Sequence, residues 1–207
     1  WRETLERAVA LAPDHISAYG LKLEEGTPLA EAVAAGRIPL PQEEDEETMY
    51  DWLNAYLPLQ GFARYEISNY AADGHECRHN LKYWQYHPYR GFGVAAHSFD
   101  GRDRYANTED VAEYLERLST EGSPEDFRET PDGPTTMAEF VFLALRTTGG
   151  LSEMEFAKRF DKNFSEYYAA PIRRLTQMRL LTQENHSWRL TELGMKLGNQ
   201  AFAEFLP

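Results

Sequence analysis

Residues Glu76 to Phe99, ECRHNLKYWQYHPYRGFGVAAHSF, gather the side chains with the most chemistry in the chain. Four of the six histidines, His75, His79, His87 and His97, lie in or beside the stretch. So do the single cysteine, Cys77, the indole of Trp84, the phenols of Tyr83, Tyr86 and Tyr89, and the glycines Gly91 and Gly93. Imidazole and thiolate are metal ligands, aromatic faces stack on flat apolar bodies, and glycine lets backbone approach a ligand closely. A lone cysteine is more often inert than reactive. Isolated histidines and aromatics commonly have structural work, with His79 and Asn80 bonding backbone and Trp84 plugging a core, so that reading stands beside the functional one.

The surrounding elements decide what such a stretch can reach. WRETLERAVAL places Trp1, Leu5, Ala8 and Leu11 at helical spacing, and a chain that opens inside a helix is expected to be a fragment. DHISAYGLKLE reads as a buried strand, Leu29 to Ala35 as a helix stopped by Gly36, and residues 43–57 as an amphipathic helix with Met49, Trp52, Leu53 and Tyr56 on one face. GFARYEISNYA reads as a further strand, with Glu66 and Ser68 on one face and Tyr65 and Ile67 on the other; Glu66 is a candidate pocket residue or a partner for Arg64 or Arg104. Helix, strand, helix, strand predicts an α/β sheet with parallel strands. GFGVAAHSFDG is a strand or a close-packed loop, TEDVAEYLERLSTEG a helix capped by Thr108, and SPEDFRETPDGP a linker by composition.

After residue 133 the rhythm changes. PTTMAEFVFLALRTTGGL predicts a helix with a Thr136–Glu139 capping box, and LSEMEFAKRFD repeats the device with Ser152 and Glu155. A third helix lies within Phe164 to Arg179, restarted at Pro171. LLTQENHSWRLT alternates about Asn185-His186 as a hairpin does, and ELGMKLGNQAFAEFL closes as a helix. Three helices and a β-wing make a winged-helix-like domain over 134–207, with 1–133 as the α/β part.

Composition narrows the function further. The net charge is −13. It falls almost wholly on residues 1–133, with 26 acids and 12 bases, whereas 134–207 hold 8 acids and 9 bases. The run Glu43 to Glu47 reads as a helix N-terminus. So acidic a surface repels nucleic acid, and Arg173, Arg174 and Arg179 alone do not make a basic footprint. No apolar run approaches the ~18 residues of a membrane span, and no signal peptide is visible at the start. One cysteine excludes an intramolecular disulfide and a self-contained cysteine cluster, and suits a reducing, cytoplasmic setting.

The segments YEISNYA, HNLKYW, GFGVAAHSF and RYAN, in this order and spacing, resemble radical SAM proteins related to oxygen-independent coproporphyrinogen III oxidase. H-N-x-x-Y-W, residues 79–84, resembles the haem chaperone (HemW) branch of that family. PDHISAYGLKLEEGTPL upstream, and MAEFVFLALRTTGGL and WRLTELGMKLGNQ downstream, are similar to the same proteins. The resemblance implies the end of a partial (β/α)6 radical SAM barrel followed by the winged-helix-like domain. It implies haem binding and delivery to acceptor haemoproteins, with decarboxylation of coproporphyrinogen III as the alternative.

In that family a [4Fe–4S] cluster on a C-x-x-x-C-x-x-C loop and S-adenosyl-L-methionine serve the intact protein. This chain has no such loop, so catalysis by it alone is not expected. Haem asks for an axial ligand, flat apolar walls and cations for its propionates. The resemblance makes His79, Asn80, Tyr83 and Trp84 the haem-binding candidates, His79 being the first choice of iron ligand, with Phe92 as a further wall and Arg78, Lys82 or Arg90 as cations. It carries Lys22, Gly91, Gly93 and His97 over as cofactor-side candidates. It leaves room for a dimer and for peripheral membrane association.

Overall fold

The computed structural model describes residues 1–207, which form two compact units, Trp1–Cys77 and Arg78–Pro207. The expected change at residue 133 falls inside the second unit.

The first unit runs α1 (Arg2–Ala10), β1 (His15–Ser17), α2 (Pro28–Ala34), α3 (Glu43–Leu59), β2 (Ala63–Arg64) and β3 (Asn69–Ala71). Thr27 caps α2 by accepting from Ala30 N–H at 3.3 Å, and Pro28 presets the first turn. Four carboxylates, Glu43 to Glu46, crowd the first turn of α3, where the helix dipole favours them. Ile16 points to the core with Leu5, Leu53, Leu57, Phe62 and Tyr70, while its neighbours His15 and Ser17 take the opposite face of the strand.

The parallel sheet expected here does not form. The strands lie in the order β1-β3-β2, and both pairings are antiparallel, His15 facing Ala71 and Arg64 facing Tyr70. The segment GFARYEISNYA is therefore a hairpin, not one strand. Its bend has a chemical cause. The Glu66 carboxylate folds back to accept from Ser68 N–H at 2.8 Å and from Asn69 Nδ2 at 2.5 Å, and Tyr65 N–H bonds Asn69 O at 3.1 Å. Glu66 and Ser68 thus belong to a turn, not to one face of a strand.

The second unit opens with α4 (Arg78–Trp84), β4 (His97–Phe99), β5 (Arg104–Asn107), α5 (Val111–Thr120) and β6 (Glu125–Glu129). These strands pair antiparallel in the order β4-β5-β6. The expected linker therefore holds an edge strand. Its composition is charged because edge strands tolerate charge, and Arg128 bonds Glu125 at 2.7 Å and Asp103 at 3.1 Å.

Helix α5 is inverted. Asp110, not Thr108, is its cap, accepting from Glu113 N–H at 2.8 Å; Thr108 instead donates to the Glu113 carboxylate. Arg117 is turned inward to Glu113, Asp126 and the Glu125 carbonyl, whereas Val111 and Leu115 are each 61% exposed and Leu118 is 42% exposed.

The remainder runs α6 (Gly133–Arg146), β7 (Leu151–Ser152), α7 (Glu153–Phe160), α8 (Phe164–Tyr167), α9 (Ala169–Gln177), β8 (Leu181–Glu184), β9 (Ser187–Leu190), α10 (Glu192–Lys196) and α11 (Gly198–Ala203). The cap of α6 is Asp132, accepting from Thr135 N–H at 2.8 Å, in place of the predicted Thr136 box. Ser152 caps α7 as predicted, accepting from Glu155 N–H. The predicted third helix is divided at Tyr168, whose ψ of 29° leaves the helical range, and Pro171 sits in the first turn of α9. The closing helix is divided likewise at Leu197.

Strands β8 and β9 form the expected hairpin. Asn185 (φ 48°) and His186 (φ 63°) supply the two left-handed positions of its tight turn. With β7 the sheet order is β7-β9-β8, antiparallel throughout. Val141, Leu145, Leu151, Phe156, Phe164 and Leu175 are wholly buried beside it. No helix is long and apolar enough to cross a membrane.

Candidate functional site

Helix α4 carries the HNLKYW segment. One helical turn separates His79 from Tyr83, which brings their side chains together. His79 Nε2 lies 3.0 Å from Tyr83 Oη, with the rings edge to face at 5.0 Å. His79 is exposed, while Asn80, Tyr83 and Trp84 are half-buried. Tyr83 in turn meets Tyr89 edge-on at 4.4 Å.

Beyond the helix, Tyr86 takes a left-handed backbone (φ 55°) and buries its ring against Phe99 at 4.7 Å. Its hydroxyl donates to Glu139 Oε2 at 3.0 Å, and burial, followed by the nearby Glu139 charge, pushes its pKa well above the usual tyrosine value. Glu139 Oε1 pairs with Arg104 Nη2 at 2.6 Å. Arg146 lies over the Trp84 ring at 4.5 Å and Arg159 over Tyr86 at 4.8 Å.

A cavity of about 300 Å3 opens in the second unit, walled by Tyr83, Trp84, Tyr86, Tyr89 and Phe99, with His87 beside them and Arg104 and Glu139 as its charged members. Aromatic walls with a few convergent polar groups are the usual make-up of a small-molecule site. The first unit has an apolar depression of about 230 Å3 beside Trp1, Leu21 and Met49, which none of the expected site residues lines.

Of the four haem-binding candidates, Tyr83 and Trp84 line the cavity; His79 and Asn80 share their helix but not the lining. Phe92 is 85% exposed, and Arg78, Lys82 and Arg90 are exposed as well. Sequence reasoning missed Tyr86, Tyr89, Phe99, Arg104 and Glu139. The three-residue spacing of Tyr83, Tyr86 and Tyr89 was the available signal for the tyrosines. From sequence Glu139 reads as the acidic member of a capping box, and Arg104 only as a candidate partner of Glu66.

The glycines have packing roles. A Cβ on Gly91 would stand 2.3 Å from the His97 carbonyl oxygen, and Gly91 N–H donates to Ser98 Oγ at 3.0 Å. Gly93 has φ 105°, and its carbonyl accepts from Asn107 Nδ2 at 2.8 Å. His97 is exposed on β4, paired with Ala106. Lys22, in the first unit, is exposed and paired with Glu24 at 3.0 Å.

Cys77 is half-buried, and no group of three or more His, Cys, Asp or Glu side chains is arranged to hold a metal ion. One thiol does not fit a [4Fe–4S] cluster, which takes several cysteine ligands. Glu66 is buried within its hairpin turn in the first unit. Arg174 is engaged with Glu204 at 2.7 Å, and the Arg179 carbonyl accepts from Thr191.

Comparison with known proteins follows the same lines. Residues 132–197 match the HemN C-terminal domain. The haem chaperone HemW of Bacillus subtilis is 33% identical over 205 residues, 98% of this chain and 54% of that protein. HemW of Lactococcus lactis is 30% identical over 99% of this chain and 54% of its own length. The mitochondrial radical S-adenosyl methionine domain-containing protein 1 of Danio rerio is 30% identical over 75% of this chain and 37% of its own length. The chain thus spans about half the length of the HemW relatives it matches. The solved coproporphyrinogen III oxidase HemN of Escherichia coli superposes with a TM-score of 0.75 at 17% identity, over 99% of this chain and 50% of that one, a likeness of mixed α/β fold. The chain is a homologue of the HemW haem chaperones over almost all of its residues and carries, at residues 132–197, a HemN C-terminal domain.

Proposed function

We propose that this chain is part of a cytoplasmic haem chaperone, a protein that binds haem and delivers it to acceptor haemoproteins. One observation carries the reading. The H-N-x-x-Y-W segment sets an exposed imidazole, His79, on the same short helix as two rings that wall an aromatic cavity, Tyr83 and Trp84. The curated relatives over almost the full chain are named haem chaperones, which supports it. Haem is here the cargo. His79 would be its axial ligand, exchanging its contact with Tyr83 Oη for iron, and Asn80, Tyr83 and Trp84 would contact the macrocycle.

The intact protein would also use a [4Fe–4S] cluster and S-adenosyl-L-methionine; the cluster ligands would come from elsewhere than these residues. Lys22, Gly91, Gly93 and His97 stay as cofactor-side candidates by resemblance. By resemblance, residues 1–133 would belong to the partial (β/α) barrel of the intact protein, to which their own strands contribute antiparallel pairs. Residues 134–207 would make a winged-helix-like domain, with α6, α7 and α9 as its helices and β8–β9 as its wing.

The test is a haemin titration of the chain followed by the Soret band, with transfer to apomyoglobin as the delivery assay. His79→Ala is expected to weaken haemin binding by about tenfold or more, the loss of one ligand bond. Unchanged affinity would remove His79 from the site. The second reading is oxygen-independent decarboxylation of coproporphyrinogen III, favoured by the fold likeness to HemN. Turnover of coproporphyrinogen III by the whole protein with reductant and S-adenosyl-L-methionine would decide for it.

A further inference from the structure

Helix α5 of the second unit keeps its apolar side uncovered. Val111, Leu115 and Leu118 fall at i, i+4 and i+7, a single stripe, and all three are exposed. No residue of the helix is buried. Its polar side is the one turned to the body. Arg117 is held there by Glu113 at 3.0 Å, by the Glu125 carbonyl at 2.8 Å and by Asp126 at 2.7 Å, and Thr108 donates to the other Glu113 oxygen at 2.8 Å. Turning the stripe inward would break the bonds of Arg117, so the exposure is built into the helix. A surface helix ordinarily buries such a stripe, and a stripe held outward marks an interaction surface.

Charge says what fits it. Residues 109–121 hold five acids, Glu109, Asp110, Glu113, Glu116 and Glu121, and one base, Arg117. Asp110 is engaged as the helix cap and Glu113 by Arg117. Glu109, Glu116 and Glu121 remain, all exposed: one before the first turn, one next to Leu115 and one at the end of the helix. Acids around an apolar stripe repel an anionic lipid surface and nucleic acid alike. A second copy would set the same acids against each other across a two-fold axis. An apolar face bordered by lysine or arginine meets both features at once, the way an amphipathic helix docks.

We infer that the outer face of α5 docks a basic amphipathic helix of a partner protein, its apolar side chains on Val111, Leu115 and Leu118 and its cations on Glu109, Glu116 and Glu121. The stripe spans two turns, about 10 Å, so the contact is small and the partner is bound weakly and exchanges. The inference stands apart from the haem reading, because none of these residues lines the aromatic cavity.

The test titrates the chain, and the whole protein beside it, into a fluorescein-labelled synthetic helix of leucine and lysine with its leucines on one face, read by fluorescence anisotropy. Both are expected to bind, and Leu115→Gln with Leu118→Gln should weaken binding about tenfold. A melting curve checks that this variant folds; Val111→Gln with Leu115→Gln serves if it does not. Glu116→Gln with Glu121→Gln should weaken binding about threefold and flatten its dependence on salt. Unchanged affinity in either the apolar or the charge variant overturns the inference. Equal binding of a scrambled peptide of the same composition overturns it as well, since charge alone then explains the attraction. Binding by the chain but not by the whole protein overturns it because another part of the protein then covers the face. Dimerisation in sedimentation that the apolar variant abolishes would assign the face to a second copy. Binding to neutral phosphatidylcholine vesicles in place of the peptide would assign it to lipid; either result overturns the inference.

Discussion

At the scale of single residues, burial and close approach govern what side chains do. His15 sits half-buried on β1 with Nε2 2.9 Å from Tyr65 Oη. Desolvation lowers its pKa below 6.5, and the Glu66 charge offsets part of that. A histidine lowered by folding binds its proton more readily in the unfolded chain. Stability from this group is therefore complete above about pH 6.5 and declines as pH falls below that value, levelling once the folded ring titrates. His15→Asn should show a smaller loss of urea midpoint between pH 7.5 and 5 than the wild type; identical losses would contradict the assignment. The glycines make a related point. Gly91, Gly150 and Gly194 are each pressed against a carbonyl oxygen, where a Cβ would stand 2.3, 2.2 and 2.0 Å away. In GFG, the glycine that looked like a ligand contact is needed by the chain's own crossing at His97.

At the scale of elements, local chemistry was legible and long-range pairing was not. The Ser152 cap and the Asn185-His186 turn depend on neighbours a few residues apart, so composition reveals them. Ser152→Ala should destabilise the second unit by about 1 kcal/mol in urea unfolding, the usual cost of losing a cap. Strand direction depends on segments far apart in sequence. A single side chain reversed it in the first unit, where Glu66 turned an apparent strand into a hairpin. Competition explains the misplaced caps. Asp132 outbids Thr136, and Glu139, freed from capping, is drawn to Arg104 and Tyr86. The site was legible to the same extent. Tyr83 and Trp84 stand in one short motif, but the charged members of their cavity come from β5 and α6, which no spacing within that motif announces.

At the scale of the whole molecule, charge is the dominant feature. The first unit has 15 acids and 5 bases, a net of −10; the second has 19 and 16, a net of −3. Self-repulsion of that size destabilises a compact unit, and salt screens it over a Debye length of about 10 Å at 0.1 M. Raising sodium chloride from 20 to 500 mM at pH 7.5 should lift the melting temperature of the chain by a few degrees, with the first unit gaining most. A fall would mean that the ion pairs of Arg117 and Arg128 outweigh the repulsion. The surface has a second consequence, which follows from the inverted α5. Along that helix the customary rules of mutational tolerance change places. Within this chain Val111, Leu115 and Leu118 are exposed, so exchanging them for lysine or glutamine removes no packing inside the second unit. Arg117, which an aligner would pass over as an interchangeable surface cation, is the fastener: its forked grip on Glu113, Asp126 and a main-chain oxygen is one that lysine does not reproduce.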